Sequence, residues 1–187
     1  GGTDTDIAQL AYHLFIDTFR CTSMKGNRWY YFKKNRWVEN ESGIDLRKRL
    51  NSVIAPLYII RERDVMSNIR ESDTLTEEQQ NNFTTLACTW NNIAIKLKNC
   101  TSRNNIMTEC KTLFKDQHLE SKLDENPKLL GFDNGVFDFN EGSFRKTIPE
   151  DYISKSVGYD YIDFNDLNEK HHTILLEIEE FLEKLFP

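Results

Sequence analysis

Long apolar segments are missing from this sequence. No apolar run approaches the roughly 18–20 residues that a membrane-spanning helix needs, and no secretory signal is visible. The four cysteines, Cys21, Cys88, Cys100 and Cys110, include no C-x2-C pair, so a zinc site has little support. We therefore expect no membrane partner and a reduced, intracellular protein.

The common catalytic signatures are also missing. No G-x-x-x-x-G-K-[ST] motif is present to hold the phosphates of ATP, and no G-x-S-x-G, H-E-x-x-H or Cys/His nucleophile pattern appears. His171 and His172 are adjacent on a predicted helix, so their side chains point apart. We predict neither a catalytic residue nor a metal ligand in this sequence.

Charge is distributed unevenly along the chain. The 187 residues carry a net charge of −6, which argues against a nucleic-acid footprint over the whole surface. Residues 25–70 nevertheless hold eleven Lys or Arg against five Asp or Glu, whereas the rest holds thirteen against twenty-five. A basic part in an otherwise acidic chain points towards nucleic acid.

The length and the hydrophobic content of 39% fit one domain with a core, or one domain with a helical extension.

Apolar spacing predicts two helices in the first seventy residues. The first is capped by Thr5 or Asp6 and continues to about Arg20. The second spans residues 43–70, and Pro56 kinks it or divides it in two. Steps of four and three residues predict its buried stripe at Leu46, Leu50, Val53, Leu57 and Ile60.

Three more helices are predicted further along. Thr74–Glu77 fits a capping box that begins a helix running to about Asn99. Ser102 caps the next helix, which carries Arg103 and Lys111, and such a scattered basic pair is weak evidence of binding. The last helix covers residues 171–186, and its apolar stripe consists of Ile174, Leu175, Ile178, Phe181, Leu182 and Leu185.

An aromatic hairpin is predicted near the N-terminus. Trp29–Phe32 and Arg36–Glu39 flank Lys33-Lys34-Asn35, and both flanks favour strands. Trp29, Tyr31 and Trp37 have the residue types of a surface that stacks bases. The alternative, which we favour for these aromatics, is that they pack into the core.

The basic residues of this region are the best candidates for a surface that meets DNA phosphates. They include the Lys-Lys-Asn tip of the hairpin and one face of the helix that follows. The alternative is that both are ordinary solvated surface. The candidate DNA-binding residues are Lys25, Arg28, Lys33, Lys34, Arg36, Arg47, Lys48 and Arg49.

Residues 129–161 predict a second β region. Leu129–Phe132 and Val136–Phe139 flank Asp133-Asn134-Gly135, and Asn-Gly between apolar runs predicts a type I′ turn with positive φ at both central residues. A further turn at residues 140–142 leads into a third strand at residues 143–146. The prediction is a three-stranded antiparallel meander.

Pro149 ends this last strand and opens a helical turn through Glu150 and Asp151. The complete fold is therefore predicted as α+β and mostly helical. It has an N-terminal β-hairpin, a late three-stranded antiparallel meander, and an amphipathic helix at its end.

The same stretch resembles the domain that precedes the superfamily 3 helicase core in poxvirus-type primase-helicases of large DNA viruses, phages and plasmids. The pattern in that family is apolar-apolar-x-Phe-x-Asn-Gly-Val-x-Asp, a turn, a proline, and then Tyr-Asp-Tyr. We interpret the matching residues individually as structural, because they suit turns and local hydrogen bonds. They are Phe132, Asn134, Gly135, Val136, Asp138, Pro149, Tyr159, Asp160 and Tyr161.

The resemblance implies a division of the chain. Residues 3–165 are interpreted as the α+β domain, and residues 166–187 as a helix leading to an absent helicase core. Independently of the resemblance, residues 1–2, Gly1-Gly2, are interpreted as a tag remnant. In the family, a Phe-Pro like Phe186-Pro187 leads directly into the ATPase core, so we expect the chain to end at a domain boundary.

The resemblance also implies a function. We expect a non-catalytic module that binds DNA and supports ring assembly, or receives DNA at the ring entrance, in a replicative primase-helicase. No cofactor is expected in this sequence, since ATP and Mg would bind in the absent core. The expected partners are DNA, that core, neighbouring subunits of a hexamer and other replication proteins. The expected location is the host cytoplasm or a viral replication compartment.

Two other functions remain open. One is a metal-dependent primase or nuclease that uses acidic residues of the meander, with Asp133 and Asp138 as a pair. The other is an adaptor that binds proteins through the acidic half of the chain and does not touch DNA.

Overall fold

The computed structural model describes residues 2–71, 75–166 and 169–186. In these residues the fold is α+β and mostly helical, as predicted. The helices are α1 (Asp4–Phe15), α2 (Ile44–Arg49), α3 (Ala55–Glu71), α4 (Glu77–Lys98), α5 (Cys100–Leu113), α6 (Leu119–Lys122) and α7 (Glu169–Leu185). The strands are β1 (Phe19–Ser23), β2 (Arg28–Lys33), β3 (Arg36–Glu41), β4 (Leu129–Gly131), β5 (Val136–Asp138) and β6 (Ser143–Arg145).

The first helix is shorter than predicted. Thr3 caps α1 in a capping box with Asp6, and the helix ends at Phe15 rather than near Arg20. The chain then forms β1, which the sequence did not predict. The side chains of Phe19 and Cys21 point inward on this strand, which pairs with β2. The predicted hairpin, β2 and β3, is therefore part of a three-stranded antiparallel sheet in the order β1-β2-β3.

One face of this first sheet packs against the helices. Phe19, Cys21 and Trp29 are fully buried on that face. Burying an apolar side chain of this size contributes roughly 1.5–3 kcal/mol, so the helices hold the hairpin firmly in place. The same core includes Ile7 of α1, Leu46 of α2, Leu97 of α4 and Ile106 of α5, together with Leu50 and Phe114, which directly follow α2 and α5.

The opposite face of the sheet is covered by a later part of the chain. Trp37 lies on this face and is 2% exposed. Its Nε1 donates to the carbonyl of Pro149 at 2.8 Å, and its backbone N–H donates to Ile153 at 2.7 Å. The segment around residues 149–153 therefore fixes the second half of the domain against the hairpin.

Residues 44–71 form one helical run that Pro56 does not divide. A π-helical turn, Leu50–Ile54, joins α2 to α3 just before this proline. The predicted stripe is wrong in its second half, because Ile54 is buried while Val53, Leu57 and Ile60 are 38–51% exposed. A π turn adds a residue to one helical turn, and this rotates the buried face of everything that follows.

The caps of α4 and α5 lie close to the predicted positions. Thr76 caps α4 in a capping box with Gln79, two residues after the predicted box, whose Thr74 lies outside the described residues. The side chain of Asn99 caps α5 by accepting from Ser102 N–H. Ser102 is thus in the first turn of α5 rather than at its cap.

The predicted meander is present as the second sheet, with strand order β4-β5-β6, and Pro149 opens a 3-10 turn as predicted. The predicted type I′ turn is wrong. Phe132 and Gly135 exchange backbone hydrogen bonds around Asp133-Asn134, and neither Asn134 nor Gly135 has positive φ. Gly135 is instead required by close packing, because an added Cβ would lie 2.4 Å from the carbonyl oxygen of Arg145.

The last predicted helix is present as α7. Most of its predicted apolar stripe is exposed in this chain, as at Phe181 and Leu182. Among the residues that the structure describes, no helix is both long enough and apolar enough to cross a membrane.

Candidate nucleic-acid interface

The eight candidate DNA-binding residues lie in three places. Lys25 and Arg28 are at the β1–β2 turn, while Lys33, Lys34 and Arg36 are at the β2–β3 turn. These turns lie at opposite ends of β2, roughly 17 Å apart for a strand of this length. Arg47, Lys48 and Arg49 occupy the last turn of α2. The basic stretch of sequence is therefore not one patch in space.

At the hairpin tip, two of the four polar side chains, those of Asn35 and Arg36, bind Asp133. Lys34 and Asn35 have φ of 50° and 62°, as a two-residue hairpin turn requires. Asn35 Nδ2 donates to the carbonyl of Asp133 at 2.9 Å, and Arg36 Nη1 lies 3.0 Å from Asp133 Oδ1. The lysines of the tip, Lys33 and Lys34, are exposed.

Arg28 at the other end of β2 is paired with acids. Its guanidinium lies 3.3 Å from Glu120 Oε1 and 3.7 Å from Glu39 Oε1. A hydrogen bond from Thr22, together with those from Arg28, lowers the pKa of Glu120. The carboxylates therefore offset much of the positive charge at this end, where Lys25 is exposed.

Arg49 lies among three aromatic rings. Its Cζ is 5.1–5.3 Å from the ring centroids of Phe15, Phe19 and Tyr31, and Nη2 donates to the Tyr31 hydroxyl at 2.6 Å. Such cation–π contacts favour a fixed guanidinium. Arg49 therefore joins α2 to the sheet rather than projecting towards a ligand.

Arg47 and Lys48 lie where α2 meets α5. Arg47 Nη2 donates to Cys100 Sγ at 2.9 Å, and Lys48 is exposed. Both line an open groove that is completed by Arg103 of α5. Arg103 was not among the predicted residues, because the sequence separates it from Arg47 by more than fifty positions and only helix packing brings them together.

The hairpin aromatics do not form a stacking surface for bases. Trp29 is fully buried and Trp37 is 2% exposed. Tyr31 is half-buried and stacks on Phe19, with ring centroids 4.7 Å apart. The core interpretation is correct for these three residues.

The residues that match the family pattern hold the second sheet together. Asn134 forms two hydrogen bonds of 2.9 Å with the backbone of Tyr161, one donated and one accepted. Phe132 contacts Tyr159 and Tyr161, and Tyr161 stacks on Phe144 at 4.4 Å. The Asn-Gly and Tyr-Asp-Tyr parts of the pattern are therefore two sides of one packed cluster.

Other matching residues also have structural contacts. Val136 is fully buried, Asp138 is 8% exposed, and the Pro149 carbonyl accepts the Trp37 indole. Asp160 is exposed.

The acidic residues of the meander do not converge as a metal pair. Asp133 is at the β4–β5 turn, whereas Asp138 is at the far end of β5, where its Oδ2 lies 3.4 Å from Arg145. Hydrogen bonds with Asp151, and then with Asp138, raise the pKa of Arg145. Within the described ranges, no group of three or more His, Cys, Asp or Glu side chains is arranged to hold a metal.

Comparison with known proteins identifies the domain. The family described as D5 N terminal like matches residues 8–187. The chain belongs to this family. The resemblance to the domain that precedes the helicase core of poxvirus-type primase-helicases is thereby confirmed.

Relatives of this D5 N terminal like domain are found in large DNA viruses. "Putative helicase L207/L206" of Acanthamoeba polyphaga mimivirus is 32% identical over 181 residues, which are 97% of this chain and 18% of that protein. "Putative helicase 022R" of Frog virus 3 is 26% identical over 198 residues, covering 91% of this chain and 20% of the relative. "Putative helicase 121R" of Invertebrate iridescent virus 3 is 41% identical over 93 residues. The chain thus spans about a fifth of the first two relatives.

Proposed function

We propose that this D5 N terminal like domain is a non-catalytic module of a viral replicative primase-helicase. In this proposal it contacts DNA and supports ring assembly, beside an ATPase core that would bind ATP and Mg. The observation that carries the proposal is the family match over residues 8–187, together with relatives named as helicases. Its setting would be the replication compartment of an infected cell.

The chemistry of the surface supports contact with phosphates rather than with bases. The candidates Lys25, Lys33, Lys34 and Lys48 are exposed lysines, whereas the exposed Arg28 is paired with Glu39 and Glu120. The hairpin aromatics Trp29 and Trp37 are packed inside. Lysine–phosphate contacts carry no sequence information and weaken with salt. The proposed contact with DNA is therefore tolerant of sequence.

The last helix supports the assembly part of the proposal. Its exposed apolar side chains include Ile174, Ile178, Phe181, Leu182 and Leu185. An amphipathic helix normally buries such a face. In the proposal, neighbouring subunits and the ATPase core cover this face together, so the isolated chain is expected to be a monomer or a weak oligomer.

Catalysis by the meander is less well supported. Asp133 and Asp138 lie at opposite ends of the β4–β5 hairpin, and each is bound by a different arginine, Arg36 or Arg145. Two-metal chemistry needs carboxylates that share metals about 4 Å apart. The separation of these acids favours the non-catalytic module.

The test is a fluorescence-anisotropy titration of labelled single- and double-stranded oligonucleotides with the chain at low salt. Saturable binding of either oligonucleotide is expected. An absence of binding to both would contradict the DNA-contact proposal and favour the adaptor function. Light scattering on the same samples measures the oligomeric state, and a stable hexamer of the chain alone would contradict the need for the core.

A further inference from the structure

An open groove of about 570 Å³ runs between α2, the π turn and the start of α5. Sequence-distant residues meet there, because packing of α2 and α5 in the common core brings their last and first turns together. The groove is lined by Ile44, Arg47, Lys48, Asn51, Ser52 and Arg103.

The lining has charge of one sign. Arg47, Lys48 and Arg103 are cationic, and none of the described residues that line the groove is acidic. Like charges that converge without a counterion repel each other and attract an anion. The groove also adjoins the N-terminus of α5 at Cys100, where the helix dipole adds partial positive charge.

Both arginines form hydrogen bonds within the protein. Arg47 Nη2 donates to Cys100 Sγ, a weak acceptor, at 2.9 Å. Arg103 Nη1 donates to the carbonyls of Leu97 and Lys98 at 2.8 and 2.7 Å, where α4 ends. A guanidinium carries five N–H donors, so anchoring through one nitrogen leaves others to bind an anion. Arg103, which two backbone carbonyls hold, loses little entropy when a ligand arrives.

The other lining residues fit a phosphodiester chain better than a compact anion. Asn51 and Ser52 supply neutral donors that bind phosphate and sugar oxygens in nucleic-acid interfaces. Ile44 is 49% exposed and offers an apolar contact to a sugar. The groove is open, so a polymer can pass through it.

We propose that this groove binds successive phosphates of a nucleic-acid backbone, with Arg47, Lys48 and Arg103 as the cationic contacts. The inference rests on the proposed contact with DNA and assigns a place to it. It moves the site from the hairpin tip, where Arg36 is already paired with Asp133, to the junction of α2 and α5.

Two exposed cysteines give a test that needs no mutation. Cys100 contacts Arg47 at the groove, whereas Cys88 is exposed on α4. Cys88 lies ten residues before the end of α4, which is roughly 15 Å at 1.5 Å per residue. We would measure alkylation of each thiol by mass spectrometry, with and without an oligothymidylate of twenty nucleotides. Bound oligonucleotide should slow alkylation of Cys100 about fivefold or more and leave Cys88 unchanged. If bound oligonucleotide left the alkylation rate of Cys100 unchanged, as it should that of Cys88, the proposal would be overturned.

A charge variant tests the same site by affinity. Lys48→Glu changes an exposed groove residue, and Lys146→Glu is the matched control, an exposed lysine beyond β6. We expect Lys48→Glu to weaken oligonucleotide binding about tenfold and Lys146→Glu to change it less than twofold. Circular dichroism checks the fold, and Lys48→Gln, which keeps a neutral helix-forming side chain, should give a smaller loss in the same direction.

The outcomes separate this inference from the proposed function. Binding that survives Lys48→Glu but is lost in Lys33→Glu/Lys34→Glu would overturn the groove and keep the DNA-contact function. No binding by the unmodified chain would overturn both. Poly-glutamate provides a further arm, because stronger protection of Cys100 by this polymer than by the oligonucleotide would identify an acidic polypeptide as the ligand and overturn the nucleic-acid assignment.

Discussion

Arg36 Nη1 lies 3.0 Å from Asp133 Oδ1, and this ion pair joins the tip of the first hairpin to the first turn of the second sheet. Ser156 donates to the same oxygen at 2.6 Å. Both ends of the contact are turns, so the pair fixes two segments that are nearly a hundred residues apart in sequence. It also removes Arg36 from the cations that are available to a ligand.

Neutralising Arg36 should therefore affect stability more than DNA binding. The two side chains are 34% and 42% exposed, and exposed pairs contribute only about 0.2–1 kcal/mol. We expect Arg36→Gln to lower the free energy of unfolding by that amount in urea titrations. Lys34→Gln at the same tip is the control and should leave stability unchanged. A loss of oligonucleotide affinity in Arg36→Gln larger than in Lys34→Gln would show that Arg36 contacts DNA directly.

Gly135 is predicted to tolerate no side chain. A Cβ at this position would lie 2.4 Å from the Arg145 carbonyl oxygen and 2.5 Å from Phe144 Cζ, so β5 and β6 would have to separate. We expect Gly135→Ala to cost about 1–3 kcal/mol in the free energy of unfolding, as overpacking usually does. At Gly26 a Cβ would meet the flexible Ser23 side chain, so Gly26→Ala should cost clearly less. Equal losses in the two variants would contradict the packing account.

Asp124 should make stability depend on acid pH. Burial raises the pKa of its carboxyl, but hydrogen bonds from Ser154 and Lys155 lower it more, so the pKa lies below the ordinary 3.8. A carboxyl with a lowered pKa in the folded state stabilises the fold at pH values above its pKa in the unfolded chain. This stabilisation is lost as the pH falls through the pKa of the folded state. Asp124→Asn should thus lower the urea midpoint at pH 7, and its difference from the unmodified chain should shrink below pH 3.8.

The exposed Asp160 provides the control for this experiment. Asp160→Asn should leave the urea midpoint unchanged both at pH 7 and below pH 3.8. A difference between Asp124→Asn and the unmodified chain that stayed constant down to about pH 2.5 would contradict the linkage.

The cysteines should divide into two reactive and two protected thiols. Cys88 and Cys100 are exposed, whereas Cys21 and Cys110 are buried, and burial raises the pKa of the Cys110 thiol to about 12. Because the thiolate is the reactive form, the native chain should take up two alkyl groups at pH 8 and four in concentrated urea. Rapid uptake of a third group by the native chain would contradict the burial of these thiols.

Local patterns in the sequence were sufficient to predict most of the helices, the aromatic hairpin and the meander. They failed where a segment fits both the helical spacing of three and four residues and the two-residue alternation of a strand. The apolar spacing of α1 continues past Phe15 to Thr18, yet Phe19 and Cys21 belong to a strand because β2 offers them partners. The π turn before Pro56 could not be predicted. Apolar steps of four and three residues assume a regular α-helix, whereas the extra residue of a π turn rotates the buried face of the helix that follows.

The candidate site was harder to predict than the fold. Residue type could not separate Arg49, which three aromatic rings surround, from Lys48, which is exposed one position earlier. Arg103 gave only a weak signal in sequence, because its place in the groove depends on how α2 packs against α5. Only the three-dimensional arrangement sorts structural cations from those that can meet a ligand.

The most direct test of the central claim, that this module meets DNA through a few phosphate contacts, is the salt dependence of its affinity. Anisotropy titrations of a single-stranded oligonucleotide between 50 and 200 mM salt give the slope of log affinity against log salt. Three cationic contacts predict a slope of about −2 for a single strand, and Lys48→Gln should reduce its magnitude by about 0.7. A slope near zero, or no binding at the lowest salt, would contradict the account.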